Sequence, residues 1–116
     1  MKYMALIYSS DAANPQYGSP DFGAMMGAYQ SANETYKRDG VMVAGEGLQQ
    51  SATATTVRVR KGKTETMDGP FAETKEQLGG FYLFDCANLD EAIKYAAMIP
   101  TAAWGSVEVR PVMQYG

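Results

Sequence analysis

The residues of this chain that could do chemistry are carboxylates, a few cations and tyrosines, and they fall in a handful of places. Asp68 opens the run Asp68-Gly69-Pro70. A carboxylate shielded from water there would have its pKa raised and could act as a general base. The same three residues also describe a tight turn, in which Asp bonds the backbone, Gly takes unusual angles and Pro fixes the exit. Glu73, Lys75 and Glu76 follow closely. They offer an acid or base beside a cation for a substrate carboxylate, or else a solvated surface with weak ion pairs. Glu108 and Arg110 alternate with Val107 and Val109, so both point away from the valines. Such a pair is either an ion pair at an interface or an arginine set to hold an anion. Glu46 stands between Gly45 and Gly47, where absent side chains leave room for a ligand or mark a bulge. Tyr29 lies on an apolar helical stripe, where it packs, and its hydroxyl could still reach a cleft as a donor. The catalytic candidates are therefore Asp68, Glu73 and Lys75, and the ligand-binding candidates are Glu46, Tyr29, Glu108 and Arg110.

Missing residue types narrow the chemistry further. The chain has no histidine, which removes the commonest general base near neutral pH and the commonest transition-metal ligand. Serine or cysteine nucleophiles activated by histidine are excluded with it. The single cysteine, Cys86, has no partner for an intrachain disulfide, and a structural zinc site would have to be nearly all carboxylate. No metal and no cofactor are expected, and a reducing cytoplasm is the simplest setting. Cys86 reads as structural.

Charge and hydropathy bound the partners. The ten Lys and Arg residues are dispersed on a chain of net charge −3, which argues against nucleic acid. Their densest group, Arg58, Arg60, Lys61 and Lys63, reads as the exposed face and turn of a hairpin. The apolar run at the N-terminus is too short to span a membrane and lacks a signal peptide's cleavage region. A soluble, unprocessed cytoplasmic protein is expected.

These side chains have to be positioned by a small set of elements. With 116 residues, 46% hydrophobic and 20% charged, and with no repeat or linker, the chain reads as one globular domain over residues 1–116. Residues 2–8 form a first strand that is apolar on both faces. Ser19 and Pro20 start a helix whose stripe is Phe22, Met25, Met26, Tyr29, Ala32, Asn33 and Tyr36. Lys37, Arg38 and Gly40 end it, and Met25, Met26 and Met42 read as core filler. Strands follow at 41–48 and 53–60, and Lys61-Gly62 turns the latter into a hairpin with 63–67. The polar alternation of that hairpin predicts one face in water. Residues 79–85 form another strand with two apolar faces. Asn88 and Glu91 then start a second helix with a stripe of Leu89, Ala92, Ile93, Ala96 and Ala97, ended by Pro100 at about Ile99. Residues 106–113 make the last strand.

The order β-α-β-(hairpin)-β-α-β is that of a ferredoxin-like βαββαβ unit of α+β class with an extra hairpin. Its two crossovers place both helices on one face of a mainly antiparallel sheet. The opposite face is left apolar and uncovered, so a homodimer packed sheet against sheet is expected.

The run from Asp68 through Tyr82, Asp-Gly-Pro-Phe-Ala-Glu-Thr-Lys-Glu-Gln-Leu-Gly-Gly-Phe-Tyr, resembles the signature of the DGPF-domain proteins, a branch of the YCII-related family. The stretches Val43 to Leu48, Ala54 to Arg58 and Gly105 to Pro111 are similar to that family as well. The resemblance implies a dimeric α+β barrel of ferredoxin-like subunits with a cleft at the sheet interface. It also implies a neighbourhood of sigma factors of the extracytoplasmic-function type, and relatives that use a His–Asp pair, some of them eliminating halide from chlorinated aromatic compounds. Only the Asp of that pair has a counterpart here, at Asp68.

Two functions follow as expectations. One is acid–base chemistry, isomerase- or lyase-like, on a small molecule bound at the dimer interface. The other is a non-catalytic ligand-sensing or partner-binding module linked to sigma-factor regulation. The absence of histidine favours the second.

Overall fold

The computed structural model describes residues 1–115, and Gly116, the last residue of the expected domain, lies outside them. Eight elements follow one another: β1 (Lys2–Ser9), α1 (Pro20–Arg38), β2 (Met42–Gly47), β3 (Thr55–Arg60), β4 (Lys63–Asp68), β5 (Gln77–Asp85), α2 (Leu89–Ala96) and β6 (Ser106–Pro111). Short 3-10 turns lie at Asp11–Ala13, Ser51–Thr53 and Pro100–Ala103. Four strands make an antiparallel sheet in the order β2-β5-β1-β6, and β3 and β4 form a separate two-stranded sheet. This is the ferredoxin-like order with a hairpin inserted between β2 and β5.

Local chemistry sets the element ends. Ser19 caps α1 by accepting from the Phe22 amide at 3.1 Å, and Pro20 occupies the first helical position. Lys37 and Arg38 lie in the last turn, and Gly40, at φ +70°, carries the chain out into β2. Lys61 and Gly62 both have positive φ, the pair of angles that a two-residue hairpin turn demands.

Both helices cover one face of the main sheet. Tyr3, Ala5 and Ile7 of β1, with Tyr82 and Phe84 of β5, meet Ala32 and Tyr36 of α1 and Ala92, Tyr95 and Ala96 of α2. Tyr36 is at the centre, edge-on to Tyr82, Phe84 and Tyr95 with ring centroids 5.1, 4.9 and 5.9 Å away. Its hydroxyl donates to the Tyr95 carbonyl at 2.8 Å, so no polar atom of this ring is left unpaired in the core.

Helix α2 departs from the expected stripe. Leu89 and Ile93 are about half exposed, and the buried side is Ala92, Tyr95 and Ala96, with Ile99 just beyond. The small alanines let the helix approach the sheet, and the Tyr95 ring fills the core while its hydroxyl reaches Asp39 at 2.8 Å. The helix also stops at Ala96, short of Ile99. Pro100 excludes helical angles from Ile99, whose ψ is 119°, and the Met98 and Ile99 amides bond three residues back.

The hairpin departs as well. It was expected to leave one face in water and leaves both, since of its twelve strand residues only Thr56 is even half-buried. It stands away from the body. The Cα radius of gyration is 16.0 Å, against about 13 Å for a compact chain of this length.

Candidate functional site

Helix α1 covers the core only with its C-terminal half. Its N-terminal half stands off the sheet, and Met26, expected as core filler, is about half exposed. Two adjoining grooves of about 440 and 430 Å³ open beneath it and share Ile7, Met26, Tyr29, Gly47 and Gly79. Together they form one trough between α1 and the β2–β5 side of the sheet.

The floor of this trough is backbone. Gly45, Gly47, Gly79 and Gly80 line the first groove, and three of them have distinct reasons. A side chain at Gly80 would press on the Glu46 carbonyl at 2.8 Å, and one at Gly45 would enter the Tyr82 ring at 2.6 Å. These two permit close approach, which answers the choice between bulge and close approach at Gly45. The bulge of β2 lies at Val43 instead. At Gly47 a side chain would meet nothing within 4 Å, so its absence leaves free volume in the trough.

The wall is a polar row along α1. Tyr29, Asn33 and Lys37, four residues apart, face the glycines. The Tyr29 and Thr101 hydroxyls lie 2.6 Å apart, and Tyr82 donates to Asn33 Oδ1 at 2.6 Å, which leaves the Asn33 amide NH2 to donate elsewhere. Burial raises the pKa of Tyr29 above the ordinary phenol value and pushes Tyr82 up to about 12. Both phenols stay protonated at neutral pH and act as donors or acceptors of hydrogen bonds, not as bases. Sequence reasoning picked out Tyr29 and missed Asn33, Lys37 and Thr101 as its neighbours. The four-residue repeat of polar groups beside an apolar stripe was the signal.

Of the other candidates only Glu46 also borders the trough, through its backbone beside Gly80, and the side chains of the rest lie in two different places. Glu46 and Glu108 fall on one register row across the sheet, Glu46–Phe81–Leu6–Glu108, and Arg110 on the next, Ala44–Leu83–Met4–Arg110. Both rows are on the face away from the helices, since Val107 and Val109 pack against the core. Glu46 is at one edge and Glu108 at the other. Arg110 clasps Glu108 through Nε at 3.2 Å and a terminal guanidinium nitrogen at 2.9 Å. It is the one pair among the seven candidates that the structure brings into contact. Asp68, Glu73 and Lys75 are exposed around the base of the hairpin, and none of them lines the trough.

The fifteen-residue run that starts at Asp68 has a structural account. Gly69 takes φ +94°, donates to the Ala54 carbonyl at 2.7 Å and accepts from the Thr56 hydroxyl at 2.8 Å. The Gln77 amide donates to the Ala72 and Thr74 carbonyls at 3.1 and 3.0 Å and folds the loop around itself. Glu76 accepts from Ser106 at 3.1 Å and pins the loop to β6. Among the described residues no group of three or more Cys, Asp or Glu side chains is placed to hold a metal ion, and no helix is long and apolar enough to cross a membrane.

Comparison with known proteins bears on the same residues. The YCII-related domain matches residues 1–115 of the chain. The chain belongs to the YCII-related family. An uncharacterized protein of Rhizobium meliloti (strain 1021) is 38% identical over 117 residues, covering 99% of this chain and 94% of that protein. In this YCII-related domain the trough and the open sheet face lie on opposite sides of the sheet.

Proposed function

We propose that this YCII-related domain is a homodimeric small-molecule-binding module that holds its ligand in the trough under α1. The observation that carries this reading is the pairing of a bare glycine floor with a wall of donors, Asn33 and Lys37, beside protonated tyrosines. A floor of backbone lets a flat molecule lie close to the sheet, and the donors favour one that carries acceptor atoms or a negative charge. Burial holds Tyr29 and Tyr82 neutral, and no histidine is present to take a proton, so the trough is suited to binding and not to proton transfer. The test is a thermal-shift screen of small carboxylates and planar heterocycles against the wild type and Gly47→Leu. A ligand of the trough raises the melting temperature of the wild type and not of Gly47→Leu, whose new side chain fills the space. A compound that stabilises both equally binds elsewhere, and one that is turned over reverses the non-catalytic reading.

The dimer rests on the opposite face. Met4, Leu6, Tyr8, Phe81 and Leu83 are only partly buried there, with no helix over them. Sheet-against-sheet packing about a two-fold axis would cover them and form a dimeric α+β barrel. Light scattering is expected to return about twice the 12.6 kDa chain mass.

A further inference from the structure

The β3–β4 hairpin has two unlike faces. Thr55, Val57 and Val59 of β3 pair with Asp68, Thr66 and Thr64 of β4, so one face is uncharged and β-branched except for Asp68 at its base. Arg58, Arg60, Lys63 and Glu65 mark the other. A pattern of this kind belongs to a ribbon covered on one side. Here Val57 and Val59 are 59% and 60% exposed, and a two-stranded ribbon alone is marginally stable in water.

We infer that this hairpin is a dimerisation arm, whose uncharged face lies on the body of a second copy of the chain. The inference rests on the dimer proposed above and adds where the dimer is held. Three observations select a second copy as the occupant. First, the chain exposes 8061 Å², whereas a compact monomer of its mass exposes about 6,200 Å². The excess, roughly 1,900 Å² per chain, is what an obligate dimer buries and more than twice the ~800 Å² per partner of an ordinary complex. Second, the sheet-against-sheet packing proposed above already brings a second copy to this chain, so an arm that reaches beyond its own body meets that copy first. Third, the charges complement each other. Residues 55–68 hold four cations and two carboxylates, net +2, and the rest of the chain holds six cations and eleven carboxylates, net −5. The arm, positive as a whole, is drawn toward the negative body of the next copy, although its strand cations lie on the face opposite Val57 and Val59.

The test is the dimer dissociation constant of the full chain by analytical ultracentrifugation, for the wild type, Val57→Lys/Val59→Lys and Glu65→Gln. The double variant puts charge on the covered face and is expected to weaken the dimer about 100-fold or more, with the near-ultraviolet circular dichroism of the tyrosine core unchanged. Glu65→Gln, on the opposite face, should stay within about threefold of the wild type. A double variant that dimerises like the wild type overturns the arm and leaves the dimer standing. A wild type that stays monomeric overturns the dimer and the arm with it. Should the double variant not fold, hydrogen exchange of the wild type decides. The amides of β3 and β4 are expected to gain protection with rising protein concentration, and exchange at the unprotected rate in the dimer overturns the arm.

Discussion

Tyr29 and Thr101 meet hydroxyl to hydroxyl at 2.6 Å, joining α1 to the turn ahead of β6 across 72 residues of chain. Thr101 is, with Ser9, one of the buried polar side chains outside the tyrosines among the described residues, so its hydroxyl depends on this partner. Tyr29→Phe and Thr101→Val each leave the other hydroxyl without it and are expected to lower stability by about 1–2 kcal/mol in urea unfolding. The double variant should lose less than the sum of the two, giving a coupling near 1 kcal/mol. Strict additivity would show that the two hydroxyls do not depend on each other.

The glycines of the trough floor are expected to separate into two groups. Gly80→Ala presses a methyl group onto the Glu46 carbonyl and the Gly47 Cα, both backbone atoms of β2 that cannot turn away. The strands must part, and the loss should be about 1–3 kcal/mol, a drop of several degrees in melting temperature. Gly47→Ala enters open space at an ordinary backbone angle and should change stability by no more than about 0.5 kcal/mol. Equal losses at both positions would contradict the floor described here.

Stability should fall in strong alkali as the buried phenols ionise. Burial raises the pKa of Tyr29 and Tyr36, and holds Tyr82 at about 12, against a value near 10 in the unfolded chain. The folded state therefore holds these protons more tightly. The stabilisation is complete below about pH 10 and is lost as the pH rises through the folded values, near 12 for Tyr82. Tyrosinate absorbance and far-ultraviolet circular dichroism should change together in that window. Ionisation of all eight tyrosines with the fold intact would contradict the buried positions. In acid the sign reverses at Asp39, whose carboxyl the Tyr95 hydroxyl holds below the ordinary carboxylate value. Its contribution is present above the unfolded value and fades as the pH falls through the lowered one, so Asp39→Asn should flatten the acid limb.

Much of this fold is legible in the sequence because its signals are local. Ser19-Pro20, Gly40, Lys61-Gly62 and Asn88 each act within a few residues, and the structure places a cap, a stop, a turn and a cap there. The phase of α2 was not legible, because a stretch with Ala at 92, 96 and 97 offers two apolar faces, and the Tyr95 ring decided between them through contacts with the sheet. The trough was hidden for a similar reason. Tyr29, Asn33 and Lys37 could be read as one helical row, but the space beside them depends on how far α1 stands from the sheet, a distance no local pattern encodes. The run from Asp68 to Tyr82 looked like chemistry, and its distinctive residues Gly69, Gln77 and Gly80 have conformational work to do. Asp68 itself is left exposed, its carboxylate making none of the ion pairs found.

The Glu108–Arg110 clasp gives a last expectation, because its value depends on what lies over it. In a single copy Arg110 is 68% exposed, and water and salt screen the pair, so Arg110→Ala should leave the melting temperature of a dilute, monomeric sample unchanged. On the open face of a dimer the same pair would be drawn out of water beside Leu6 and Met4, their register partners. Removing the arginine then leaves the Glu108 carboxylate covered and unpaired, and the dimer should weaken at least about tenfold. Replacing both residues, Glu108→Gln with Arg110→Met, should recover much of that loss, since two uncharged side chains need no partner. Concentration-dependent sedimentation of the three variants reads this directly. A dimer indifferent to Arg110→Ala would mean that the copies meet elsewhere than on this face of the sheet.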